Sequence, residues 1–184
     1  MSENLDLIRY KKNIFSDFQI INKELTDKVF TYLISLITEN KKLKNYNEII
    51  MSQENCIFNS KDFEKISLKE FLVYLNEFYT LEDYILIGAL IYLDKFCEAT
   101  SIILTKYNIF RLLFTAILLS LKKFEDLNIN NSYYSKIIGM KNKDLNKLEF
   151  NFITTLDFKL HITKREYQKY KKYIDEYTLL SQLN

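Results

Sequence analysis

Few residues in this chain could do chemistry, and their spacing keeps them apart. His161 is the one histidine among 184 residues. An imidazole with no neighbouring ligands reads as solvated or structural, not as a metal ligand or general base. Cys56 and Cys97 are too few and too distant for a disulfide framework or a metal knuckle, so they read as free thiols of a reducing compartment. Gly88 and Gly139 are the two glycines and are isolated, which excludes a glycine-rich phosphate cradle. Ser, Asp and Glu are plentiful, yet with no nucleophile motif they form no catalytic constellation. No enzyme activity, small-molecule substrate, metal or cofactor is therefore expected. The stretch from Lys164 to Tyr177 mixes lysine with tyrosine, a pairing used on single-stranded nucleic acid. Glu166, Asp175 and Glu176 interrupt its positive face, so the tyrosines read as a packing stripe.

Composition narrows the elements that could position these groups. The chain lacks proline and has two glycines, so hairpin-rich sandwiches and barrels are disfavoured and an all-α fold is expected. Net charge is +2 with a pI near 8.3, short of the basic footprint of a dedicated nucleic-acid binder. Lysine supplies nearly all the cations; Arg9, Arg111 and Arg165 are expected where lysine would not serve. The N-terminus is acidic without a signal-peptide core, and the apolar stretches Tyr84–Leu93 and Leu112–Leu121 are too short to span a bilayer. A soluble, intracellular protein is expected, nuclear or cytoplasmic, with no membrane partner.

Apolar periodicity then marks the helices. Leu25, Val29, Phe30, Leu33, Leu36 and Ile37 define an amphipathic helix starting near Thr26-Asp27 and fraying in the polar run 39–45. Residues 45–62 read as a linker that packs through Ile57 and Phe58. Ser67-Leu68-Lys69-Glu70 is a capping box, followed by an apolar face of Leu68, Phe71, Leu72, Leu75 and Phe78. Thr80-Leu81-Glu82-Asp83 suggests a second start, opening a helix apolar nearly all round. Residues 108–121 repeat that pattern, and two such helices need an amphipathic shell. Ser132 to Gly139 supplies a short helix capped by Ser132 and ended by glycine. Leu145, Leu148, Glu149, Phe152, Ile153 and Leu156 mark the next, and a last helix starts at Thr163 with Tyr167, Tyr170, Ile174 and Tyr177 on one stripe.

The order of several strings is informative. They are Ala89-Leu90-Ile91-Tyr92-Leu93-Asp94-Lys95, Tyr107-Asn108-Ile109-Phe110-Arg111-Leu112-Leu113, and Leu121-Lys122-Lys123-Phe124-Glu125-Asp126. Asn131-Ser132-Tyr133-Tyr134-Ser135-Lys136, Leu145-Asn146-Lys147-Leu148-Glu149 and Leu156-Asp157-Phe158-Lys159-Leu160 continue the series. Together they resemble a cyclin box, specifically that of the short P/U-type cyclins related to phosphate-signalling cyclins. Phe58-Asn59-Ser60 falls where that family has a phenylalanine anchor ahead of the box.

The resemblance implies a five-helix box over residues 63–162, whose central helix carries Arg111 to Lys123. Residues 1–62 would form an N-terminal helical extension and linker, and 163–184 a C-terminal helix. It also implies a cyclin-dependent protein kinase as partner, bound and activated without catalytic residues in this chain. Lys123 and Glu149 match the lysine and glutamate with which the family clasps the kinase's regulatory helix. Phe124, Phe150, Ile153, Phe158 and Leu160 match the apolar contacts around them. Asp94 matches the aspartate of an internal pair whose arginine position is Lys65 here. The substrate-docking positions of mitotic cyclins read Glu64, Leu68 and Phe71, so that docking is not implied. Lys141 stands where the family often has a capping serine, with Asn142 as substitute. A cyclin-box adaptor that scaffolds signalling or transcription proteins without activating a kinase is the second reading. Adaptors of that kind usually carry two boxes and a basic surface.

Overall fold

In the computed structural model, which describes residues 23–60, 66–125 and 130–183, every regular element is a helix. In chain order these are α1 (Lys23–Lys41), α2 (Tyr46–Ser52), α3 (Leu68–Tyr79), α4 (Asp83–Thr100), α5 (Ile109–Phe124), α6 (Asn131–Ile137), α7 (Asn142–Thr155) and α8 (Lys164–Leu183). The fold is an all-α bundle.

Apolarity ranks the helices from centre to rim. In α5 every residue from Leu112 to Leu121 is buried, so this helix is the axis of the bundle. Its main neighbour is α4, buried from Ile85 to Leu93. Ser120 Oγ donates to the Ile85 carbonyl at 2.8 Å, satisfying a hydroxyl that would otherwise be orphaned in the core. Around this pair lie α1, α3, α7 and α8, each burying one stripe. On α8 that stripe is Ile174, fully buried, with Tyr167 and Tyr170 partly buried against the core.

Helix ends show where local chemistry acted as read and where it did not. At Ser67 the capping box forms in full: Ser67 Oγ accepts from Glu70 N–H at 3.1 Å and Glu70 Oε2 accepts from Ser67 N–H at 3.0 Å. Gly139 takes a φ of 69° after α6, as a helix-ending glycine should. Thr80 is not the N-cap of α4. It closes α3 at a φ of 45°, and Glu82 precedes α4 without a side-chain bond. The buried Asn76 instead braces the turn ahead of α4, its Oδ1 accepting from Leu81 N–H at 2.7 Å. Ser132 lies inside α6, because Asn130 accepts from Tyr133 N–H and takes the capping role. Lys141 precedes α7 without a side-chain cap, and Asn142 is its first residue.

Residues 45–62 also depart from a plain linker. A two-turn helix, α2, occupies Tyr46–Ser52 with no buried residue, held by local backbone bonds. Beyond it Phe58 is buried but Ile57 is 44% exposed, so one anchor serves where two were expected. With proline absent and glycine scarce, Thr80, Ser101, Asp157 and Phe158 occupy the left-handed region where glycine is the usual choice.

Candidate functional site

The positions singled out in the sequence gather at one end of α5 and along the outer side of α7. Three buried rings set the placement of α7. Phe152 stacks on Phe96 of α4 at 4.3 Å between centroids, and Phe58 packs edge-on to both, at 6.1 and 5.1 Å. Arg111 of α5 holds the segment that delivers Phe58: its Nη1 donates to the carbonyls of Ile57 and Asn59, both at 3.1 Å. One nitrogen of the guanidinium thus bridges two backbone acceptors. With Phe152 pointing inward, Phe150 projects outward from α7, and the half-buried Glu149 and Ile153 lie on its flank.

Glu149 is held from two sides. Lys122 Nζ pairs with its Oε1 at 2.5 Å, and Asn131 Nδ2 donates to its Oε2 at 2.5 Å. Asn131 Nδ2 also donates to Asn146 Oδ1 at 2.8 Å. The last turn of α5, the start of α6 and the first half of α7 thus converge on one carboxylate. Lys123, the neighbour of Lys122, is exposed and makes no ion pair among the described residues. Consecutive residues on a helix point about 100° apart, so only one of two adjacent lysines can face α7.

Phe124 is fixed from beneath. Gly88 of α4 leaves room for its ring: a Cβ at Gly88 would lie 2.9 Å from Phe124 Cε2 and 2.6 Å from Ser120 Oγ. Tyr84 packs edge-on to the same ring at 6.1 Å. Its hydroxyl donates to Glu125 Oε1 at 2.6 Å, and that bond pushes the Tyr84 phenol up to about 12. Phe124 remains 38% exposed.

After α7 the chain reverses through Asp157 and Phe158, both at positive φ. Phe158 N–H donates to the Ile153 carbonyl at 3.0 Å, and buried Tyr92 donates its hydroxyl to the Leu160 carbonyl at 2.7 Å. This tight turn turns Phe158 outward, 62% exposed, as is Phe150 at 66%. Ile153 and Leu160 are half-buried, packed against the core. The face therefore presents three exposed aromatic rings, an oriented carboxylate and an ammonium that has no ion pair among the described residues. Apolar rings on an otherwise well-packed molecule, beside polar groups able to bond a backbone, are equipped to dock another protein.

Asp94 sits elsewhere. Its expected partner Lys65 lies outside the described residues; in the structure the carboxylate accepts from the Tyr170 hydroxyl of α8. Nearby, burial pushes the Cys97 thiol up to about 12, so it stays protonated and inert near neutral pH. His161 is exposed. Among the described residues no cluster of His, Cys, Asp or Glu could hold a metal ion, and no helix is long and apolar enough to cross a membrane.

Sequence reasoning did not find Lys122, Asn131, Tyr84 or Glu125. For Gly88 a signal existed: an isolated glycine inside an apolar helix marks a close approach of another group.

Comparison with known proteins points to one family. The family model described as Cyclin matches residues 23–160. Cyclin-U4-1 of Arabidopsis thaliana is 27% identical over 170 residues, covering 90% of this chain and 84% of that protein. Cyclin-U2-2 of Arabidopsis thaliana is 31% identical over 115 residues, which cover 62% of this chain and half of that longer protein. Cyclin-P3-1 of Oryza sativa subsp. japonica is 23% identical over 149 residues, 81% of this chain and 62% of that protein.

Proposed function

The chain belongs to the cyclin family, among its P/U-type members, and from that premise we propose that it binds and activates a cyclin-dependent serine/threonine protein kinase. In this reading it is a regulatory subunit with no catalysis of its own, acting inside the cell in the nucleus or cytoplasm. Its box runs over residues 63–162, with residues 1–62 as an N-terminal extension and 163–184 as a C-terminal helix.

The observation that carries the reading is the face just described. Glu149, oriented by two donors, is the chain neighbour of the exposed Phe150 on α7, while Lys123 at the end of α5 makes no ion pair among the described residues. Lys123 has three N–H donors for the free carbonyls at the end of a kinase helix. Glu149 keeps acceptor sites for backbone N–H groups, and bonds of that kind are stronger than neutral ones. Phe124, Phe150 and Phe158 would supply the apolar area, with Ile153 and Leu160 at its margin. Activation follows from differential binding: if the face fits the kinase helix only in its active position, binding completes the kinase's Lys–Glu pair. A decisive shift needs a preference of roughly 5 kcal/mol.

The test is affinity purification of the chain from its own cells, followed by a protein-kinase assay. A co-purifying kinase whose activity rises on addition of the chain is the expected result. Lys123→Ala should weaken the complex about tenfold, as loss of a charge-assisted bond does, while the melting temperature holds. Full activation by a Lys123→Ala/Glu149→Ala double variant would overturn the assigned interface. A kinase bound but not activated would favour the adaptor reading.

A further inference from the structure

We propose that Lys122 and Asn131 are positioning residues that set the Glu149 carboxylate in its kinase-binding geometry before the kinase arrives. The inference rests on the kinase-binding reading of Glu149 and adds how that residue is prepared.

A glutamate on a helix surface has three torsions to freeze when it bonds a partner, and that lost freedom weakens docking. Here the freezing has already happened. Lys122 occupies one acceptor site on Oε1 and Asn131 one on Oε2, so both carboxylate oxygens are tethered. An ionised carboxylate offers roughly four acceptor sites. One site on each oxygen therefore remains, enough for two backbone N–H donors from outside.

The tethers come from two elements other than α7, and Asn131 is itself steadied by Asn146. Side-chain exposures of 31% for Lys122 and 19% for Glu149 leave the pair partly screened from water but open on one side. A partly exposed pair contributes little to stability. Joining α5 to α7 does not require it either, because Leu145, Leu148 and Phe152 already bury the inner side of α7. Lys122 also neutralises Glu149 in the free chain, which lowers the cost of covering that carboxylate with a partner. Lys123 is thereby left to act outward.

The experiment titrates the purified chain and its variants against the co-purified kinase, expressed alone, by calorimetry, with melting curves in parallel. Lys122→Met should weaken binding roughly tenfold and Asn131→Ala severalfold, with melting temperatures nearly unchanged. Lys122→Arg, which keeps the charge and reach, should restore binding to within about twofold. In a Glu149→Gln background, Lys122→Met should cost nothing further, since Lys122 acts only through Glu149. Wild-type affinity for both Lys122→Met and Asn131→Ala, alongside weak binding by Glu149→Gln, would overturn the positioning role and leave the kinase reading intact. An undiminished Lys122→Met loss in the Glu149→Gln background would also overturn it, by making Lys122 a direct contact. Wild-type affinity for Glu149→Gln would overturn the assigned Glu149 contact and this inference with it, and no kinase to recover would overturn the kinase reading as well.

Discussion

The Phe124 ring lies across Gly88, so near that a Cβ there would come within 2.9 Å of its Cε2. Helix α4 thus gives up a side chain where the end of α5 needs room, and the exposed edge of Phe124 takes its orientation from a buried absence. Tyr84 and Ile162 close the sides of the same slot.

Gly88→Ala should destabilise the protein, although alanine is the better helix former. The helix gains about 1 kcal/mol from the replacement. Overpacking costs about 1–3 kcal/mol when neighbours cannot yield. Ser120 Oγ, at 2.6 Å from the added carbon, could yield only by giving up its bond to the Ile85 carbonyl. A net loss of about 1 kcal/mol, seen as a fall of about 3 °C in melting temperature, is expected. A rise would mean that the slot relaxes freely. In the proposed function the same variant weakens kinase binding, because Phe124 is displaced.

Arg111→Met should cost about 1–2 kcal/mol, as both carbonyl bonds are lost in a half-buried setting. Its more specific signature is local. Ser60 N–H donates to the Tyr107 carbonyl at 2.8 Å, and amide exchange there should quicken as the segment around Phe58 loosens. Unchanged exchange at Ser60 with an unchanged melting curve would show that the Arg111 bonds are dispensable.

Stability should fall as pH rises above about 10, the ordinary tyrosine range. Burial pushes Tyr74 up to about 12, and the bond to Glu125 does the same for Tyr84. Burial chiefly raises Tyr32, Tyr79, Tyr92 and Tyr170 as well. Between about 10 and 12 the unfolded chain releases phenolic protons that the native fold retains, so stability declines with pH in that window and is full below it. Melting temperatures across that range, with phenolate absorbance followed at each pH, check the direction. A melting temperature that rises above pH 10 would contradict it.

The helical class and every helix but α2 could be read from the chain alone, while the central place of α5 was implied by the resemblance and agrees with its all-round apolarity. Periodicity and all-round apolarity are local properties, and burying an apolar helix on every side demands a surrounding shell. The same holds at Ser67 and Gly139, where capping box and left-handed glycine act within a few residues. Resemblance in residue order supplied the family, which the comparisons bear out over residues 23–160. What tertiary structure alone decided depends on the phase at which helices meet. Lys122 and Lys123 are alike in type and adjacent in sequence, yet the packing of α5 on α7 turns one toward Glu149, 27 residues away, and leaves the other outside. The phase of α4 likewise sets Gly88 under Phe124. Composition and spacing determined which groups this surface could contain. Packing angles, which no local pattern encodes, determined which are held and which are free.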